Sequence, residues 1–211
     1  MVNMTELQKC KQLLKQEPSV GKVQFIPGLW VNGKYFWLPN QTEKVLYEEE
    51  LVIKVTDKQI HSKVDFHHIY ISNHSRQTKD IKFLALHHFQ NVHHDCLTFV
   101  SPTDQRIFHL ANQTVCLMNL LTTGAGKKEY TTVPLWDVFS DQIWHSVKTG
   151  ELKFQPMAKG SAASILAIKM AIDPKKTEKI ATWSISGNKK HDVAAFEQAL
   201  LKNPLAFPIE K

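Results

Sequence analysis

The chain has 211 residues and a mass of 24.2 kDa, which leaves room for one large or two small domains. With 43% hydrophobic and 22% charged residues, it holds enough apolar material for a packed core, and this excludes a disordered or fibrous chain. Lys and Arg number 26 against 20 Asp and Glu, giving +6 and a sequence pI near 9.1. The basic doublets Lys127-Lys128, Lys175-Lys176 and Lys189-Lys190 stand apart with no aromatics between them. That is the pattern of a solvated surface, and no nucleic-acid partner is expected.

The cysteines, Cys10, Cys96 and Cys116, are odd in number and lack CxxC spacing, so reduced thiols are expected in place of a disulfide framework or a structural zinc site. The N-terminal stretch has no apolar core of a signal peptide, and no run approaches the ~18 apolar residues of a membrane span. A cytoplasmic protein without a membrane partner is the expectation. Asn3, Asn40, Asn73 and Asn112 each head an N-x-Ser/Thr triplet, but without a secretory signal they carry no weight.

In chain order, Thr5 and Gln8 form a capping box ahead of Leu7, Cys10 and Leu14 at helical spacing, and Pro18 ends the segment, predicting a helix over 1–18. Asn32-Gly33 between aromatic and β-branched residues predicts a two-residue type I′ hairpin. Strands are then expected over 50–55, 66–72, 81–88, 97–100, 106–110 and 114–121, and further at 131–134, 151–154, 165–171 and 179–186. Turn clusters such as NHSRQTKD and SPTDQ separate them, a spacing that reads as a β-sandwich or barrel. A final helix is predicted where Val193, Phe196 and Leu200 recur, with Asp192 as N-cap and Pro204 beyond the end.

A self-comparison pairs Trp37 with Trp136, Glu50-Leu51 with Glu151-Leu152, Ile69 with Ile168, Thr78 with Thr177 and Ile81 with Ile180. A degenerate duplication would make two immunoglobulin-like sandwiches, over 19–121 and 122–211, behind the N-terminal helix.

Histidine is the unusual residue: eight of 11 lie between positions 61 and 94. A hairpin of 66–72 with 81–88 across NHSRQTKD would set His67-His68 opposite His87-His88. One imidazole from each strand, joined by His94, would then supply zinc with three ligands and an open position. The plainer reading is half-exposed structural histidines. A third is a cluster whose protonation near pH 6.5 destabilises the fold. Cys96 beside His93, His94 and Asp95 invites a thiol nucleophile, but catalytic Cys and His come from separate segments, and a buried cysteine is expected. The loop TTGAGKK has Leu121 where a phosphate-binding loop needs its first glycine, and Lys128 where it needs Ser or Thr.

No nucleophile elbow, nucleotide loop or paired catalytic carboxylate motif is present. The expectation is therefore a non-catalytic binding or scaffold protein, without cofactor, that meets a protein partner or a second copy of itself. Its candidate contact residues are Trp30, Tyr35, Trp37, Trp136 and Trp144, since aromatics anchor interfaces. The alternative is a zinc-binding protein or metal-dependent hydrolase with His67, His87 and His94 as ligands. Carbohydrate binding by the aromatic hairpin is a weaker third.

Overall fold

Leu51, Ile53 and Val55 alternate with Lys54 and Thr56, so a strand here buries one row of side chains and solvates the other. The same alternation runs through most of the chain. The computed structural model describes residues 23–89, 96–122 and 126–202; the helix expected over 1–18 lies outside the described residues. Strands β1 (Val23–Val31), β2 (Lys34–Trp37), β3 (Glu43–Leu46), β4 (Leu51–His61), β5 (Val64–Asn73), β6 (Lys79–Phe89), β7 (Cys96–Val100) and β8 (Ile107–Ala111) come first. There follow β9 (Thr114–Thr122), β10 (Lys127–Pro134), β11 (Trp144–Ser146), β12 (Glu151–Leu152), β13 (Met157–Lys159), β14 (Ala162–Ile172), β15 (Thr177–Gly187) and the helix α1 (Lys190–Leu201).

The front sheet has the order β10-β14-β6-β1-β2 and the back sheet β13-β7-β8-β9-β15-β5-β4-β3, while β11 and β12 form a small separate ribbon. All the pairings are antiparallel. The result is the expected mainly β sandwich with a short C-terminal helix. The Asn32-Gly33 hairpin is present: Val31 pairs with Lys34, and the two turn residues have φ of 50° and 75°, the double positive φ of a type I′ turn.

Two expectations about pairing are corrected. β5 and β6 are not a hairpin, because β5 pairs with β4 and β15 in the back sheet, whereas β6 pairs with β1 and β14 in the front sheet. Residues 74–78 cross from one sheet to the other, and residues 173–176 cross back between β14 and β15. Nor do 19–121 and 122–211 close separate sandwiches: β14 lies between β10 and β6, and β15 between β9 and β5. Each sheet is built from both stretches. Alternation marks which residues face inward, but a row of inward residues suits any neighbouring strand, so it does not specify pairing.

The interior between the sheets is filled by Leu29, Ile53, Ile69, Ile71, Phe83, Met118, Leu166 and Ile168. Both outer faces are also covered. Over the front sheet runs a strap from Leu135 to Leu152, whose Val138, Ile143, Trp144 and Leu152 pack on Trp30, Leu84 and Ile165. Gly150 is required in it. Its φ is +67°, and a Cβ there would lie 2.7 Å from the Trp30 ring, whose Nε1 donates to the Val147 carbonyl at 2.6 Å.

Over the back sheet lies α1, with Val193 and Leu200 against Phe66, Leu117 and Trp183. The buried Glu197 carboxylate accepts from Asn119 Nδ2 at 2.9 Å and Trp183 Nε1 at 3.2 Å. It also meets Arg106 Nε at 2.5 Å, a charge contact without the alignment of a hydrogen bond. The N-cap of α1 is Lys189, with no side-chain cap, and Asp192 sits in the first turn. There its carboxylate suits the positive end of the helix dipole without bonding a free N–H. Among the described residues, no helix is long and apolar enough to cross a membrane.

The two inter-sheet crossings lie side by side and are tied by one buried amide. Asn73 Nδ2 donates to the carbonyls of Gln77 (2.8 Å), Ile172 (2.9 Å) and Asp173 (3.2 Å), while its Oδ1 accepts from Ser75 N (2.9 Å) and Oγ (2.7 Å). Replacing Asn73 by Ala strips partners from several buried polar groups, each worth about 1–3 kcal/mol when orphaned. Asn73→Ala is expected to lose about 3 kcal/mol of unfolding free energy in a urea melt, and a loss below about 0.5 kcal/mol would contradict this role.

Candidate functional site

The strap and the sandwich interior hold the residues that the sequence singled out. Trp30 and Trp144 are core residues, each 6% exposed; this corrects their expected place on a contact surface, because the strap folds over them. Tyr35 is half-buried, with its ring 5.4 Å from that of Trp144 and its hydroxyl donating to Asp141 Oδ1 at 3.0 Å. Burial, and then Asp141, raise the Tyr35 phenol above its usual pKa. Trp37 is also half-buried and lies over Gly28, where a Cβ would come within 2.5 Å of the indole.

Trp136 alone of the five is freely exposed, at 75%, and Phe139, outside the predicted set, is 60% exposed. Phe139 meets the Trp37 ring edge-on at 6.2 Å. Trp136 and Phe139 project from the first turns of the strap, which Ser140 stiffens: its Oγ donates to the Asp137 carbonyl at 2.9 Å and accepts from Gln142 N at 3.3 Å. The sequence carried a signal for Phe139, since Asp137, Ser140 and Asp141 around it are turn formers that hold an aromatic outward. Phe154 and Met157, further along, are 69% and 51% exposed, and no periodicity marked them.

His67, His87 and His109 lie at one end of the sandwich interior. In the front sheet the inward row is Thr132, Ser164, His87 and Phe25; in the back sheet Asp57, His67 and Thr182 are cross-strand partners. The Phe25 ring stacks on His67 at 4.5 Å and lies tilted against His87 at 5.3 Å. His67 Nδ1 is 2.7 Å from Asp57 Oδ1. His109 Nε2 bridges the sheets to Ser164 Oγ at 2.8 Å.

His67 and His87 thus approach one another from opposite sheets and not along a hairpin, while His94 lies outside the described residues. Among the described residues, no three His, Cys, Asp or Glu side chains are grouped as a metal ion needs, and nothing in the geometry supports the zinc reading.

Burial governs the chemistry of this layer. His87 is buried, and among the described residues neither ring nitrogen makes a well-aligned hydrogen bond, the Ala85 backbone being a polar neighbour. Desolvation, then His109 and His67, hold its pKa well below the usual 6.5. Desolvation, then His88, bring His109 to about 3. Burial, with Asp65 nearby, pushes the Cys116 thiol up to about 12, which leaves it un-ionised and unreactive. Cys96 is a buried strand residue outside any disulfide, and His93, His94 and Asp95 lie outside the described residues. Lys127 and Lys128 open strand β10, and Lys128 Nζ donates to the Leu120 carbonyl at 2.9 Å. That is no phosphate-binding helix start.

No protein family matches the chain, and no curated protein matches it. Among solved structures it is similar to a bacterial glucoamylase crystallised with acarbose: 11% identity, a TM-score of 0.57, and coverage of 87% of this chain but 29% of that one. The chain therefore spans less than a third of that protein's length. At this identity the likeness is one of fold.

Both buried histidines have folded pKa values below the unfolded 6.5, so the unfolded chain binds protons first. Their contribution is fully present above about pH 6.5 and is lost as the pH falls below it, down to about 3 for His109. For His109, at about 1.4 kcal/mol per pH unit, lowering the pH from 7 to 5 should remove about 2 kcal/mol, read as the urea midpoint, and His87 adds to the loss in the same direction. His87→Leu should make the loss between pH 7 and 5 smaller, since it deletes one buried base. Equal stability of the wild type at pH 5 and 7 would contradict the neutral, buried state of the layer.

Proposed function

We propose that the protein is a non-catalytic, cytoplasmic binding module that engages another protein chain through the strap over its front sheet. The observation carrying this reading is an indole exposed at 75%, Trp136, close in sequence to a phenyl ring exposed at 60%, Phe139, on a stretch fixed by its own side-chain hydrogen bonds. Rigid aromatic anchors lose little conformational entropy on binding and dominate interface energies when a partner desolvates them. The half-buried Trp37 supports Phe139 from below, so the pair is presented rather than loose. A β-sandwich supplies the scaffold for this and implies no activity by itself.

A sugar is the second reading, because an exposed indole is also a stacking platform for a pyranose face, and the glucoamylase of similar fold was crystallised with acarbose. A photo-crosslinking amino acid at 136 or 139, introduced in the protein's native cells, tests the main reading. Tyr47, exposed at 85%, provides the control position. Discrete protein adducts are expected from 136 and 139 and not from 47. The same bands from all three positions, or none from 136 and 139, would overturn it. Saturable quenching of Trp136 fluorescence by maltooligosaccharides, with no protein adduct, would install the sugar in its place.

A further inference from the structure

On one side of the sandwich a single segment closes both sheets and then stops short. The Gln155 carbonyl accepts from Thr132 N in β10 of the front sheet, and the next carbonyl, that of Pro156, accepts from Val100 N in β7 of the back sheet. Thr131 Oγ1 tightens the join, donating to the Lys153 carbonyl at 2.7 Å and accepting from Gln155 N at 3.0 Å. Earlier in β10 no described strand lies alongside, since β10 is the outermost strand of its sheet. A groove of about 280 Å³ runs there beside residues 127–131, walled by Val100, Leu152 and Phe154. We propose that this free edge of β10 is a docking site for an extended, acidic segment of another polypeptide, which adds to the front sheet as a sixth strand.

The backbone carries the argument. Along an antiparallel strand, successive residues turn their N–H and C=O groups alternately toward the partner strand and away from it. Thr132 N points away from β14, to Gln155, whereas Leu135 N, one position past β10, bonds back to the Ser161 carbonyl just before β14. The even-numbered residues of β10 therefore face outward. Lys128 and Tyr130 turn two N–H and two C=O groups toward the groove, and among the described residues no backbone group bonds them. Pro134 occupies an outward position too, where its missing N–H costs nothing. The pairing of Gln155 with Thr132 shows that this edge takes an added extended chain, and that chain does not reach Tyr130.

The charge on the outer face selects an acidic occupant. Lys127 pairs across the strands with Lys169, and Lys169 with Lys82, a row in which like charges repel. One carboxylate serves it: Glu129 Oε1 lies 2.7 Å from Nζ of the buried Lys82. Lys127 and Lys169 are exposed and make no ion pair among the described residues. A strand added to β10 sets alternate side chains on this face, where a carboxylate meets both lysines, and the others toward Tyr130 and Val100, which suit apolar residues. Glu151 lines the groove beside Leu152, so the acid belongs on the lysine side. Phe154, 69% exposed, would be covered. A second copy fits less well: with Thr132 taken by Gln155, two-fold pairing here sets Lys127, Lys128 or Glu129 against its own copy, like charge facing like. The site is separate from Trp136 and Phe139 and does not rest on the reading of the strap.

The test is an NMR titration of the full chain with an acetylated hexapeptide of alternating Glu and Val, reading backbone amides, with the same peptide carrying Lys for Glu as the comparison. The Glu–Val peptide should give saturable shifts at Lys128 and Tyr130, and the Lys–Val peptide none. Lys128→Pro deletes one outward N–H and no bond to β14, so it should stay folded and weaken binding about tenfold. Lys128→Ala, which loses only the side-chain bond to the Leu120 carbonyl, should bind as the wild type does. Should the proline variant unfold, the surface double variant Lys127→Glu with Lys169→Glu carries the test, again with about tenfold weaker binding expected. Trp136→Ala should change nothing. Absence of saturable shifts at Lys128 and Tyr130, equal binding of the Lys–Val peptide, or shifts confined to the strap would each overturn the proposal. So would a dimer in sedimentation that broadens the same amides without peptide, which would assign the edge to a second copy.

Discussion

The sandwich depends on two chain crossings that pass between its sheets side by side, held together by Asn73. β5 turns over into β6, and β14 turns over into β15, so that β6 lies against β14 in one sheet and β5 against β15 in the other. Each arch thus supplies the other with neighbours in both layers. The corners cannot separate without breaking the bonds from Asn73 Nδ2 to the Ile172 and Asp173 carbonyls. Further links join them: Asn73 N donates to the Lys176 carbonyl, Ser72 Oγ meets Thr177 Oγ1, and Lys175 Nζ donates to the His74 carbonyl. Buried polar bonds of this kind are worth little net energy when made and much when broken. Here they set which strands become neighbours.

Once the arches are paired, every other layer has a defined place. The strap covers the outer face of the front sheet through Trp30 and Trp144, and α1 covers the back sheet through Val193, Leu200 and the buried Glu197. The exposed rings of Trp136 and Phe139 lie on the strap's outer side, and Asp57, His67 and Thr182 lie at the polar end of the interior. These two places differ in kind. The first presents exposed rings on a stiffened turn; the second places Asp57, His67 and Thr182 between two layers of protein. Of the histidines that crowd residues 61–94, His67 and His87 belong to the second. Burial favours the neutral form of His87 and His109, and His67 is paired with Asp57 and stacked on Phe25.

Much of this was legible in the chain itself. Alternation marked the long strands but not the short β3, β11 and β13, Asn32-Gly33 marked its turn, and Val193, Phe196 and Leu200 marked the final helix. Pairing was not legible, because NHSRQTKD has the composition of any polar turn, and only its length and the buried Asn73 distinguish an arch from a hairpin. The likeness of NHSRQTKDI to IDPKKTEKI is informative in hindsight: the two stretches are the neighbouring corners of one sandwich. Among the aromatics, Trp30 and Trp136 look alike as residues. What separates a core indole from an exposed one is Gly150, whose missing side chain admits the Trp30 ring, a relation spanning far too much sequence to be read from spacing.

The claim beneath all of these is that the sandwich exists only when β14 and β15 occupy the middle of both sheets. The most direct measurement is hydrogen exchange and urea unfolding on a fragment ending at Thr122, alone and mixed with the complementary fragment. Alone, it should show no cooperative transition and fast exchange in β5, β6 and β9. Mixing should restore slow exchange in all three. A fragment that unfolds cooperatively by itself, with slow exchange in β5 and β6, would contradict the account and return the first stretch to the status of an independent domain.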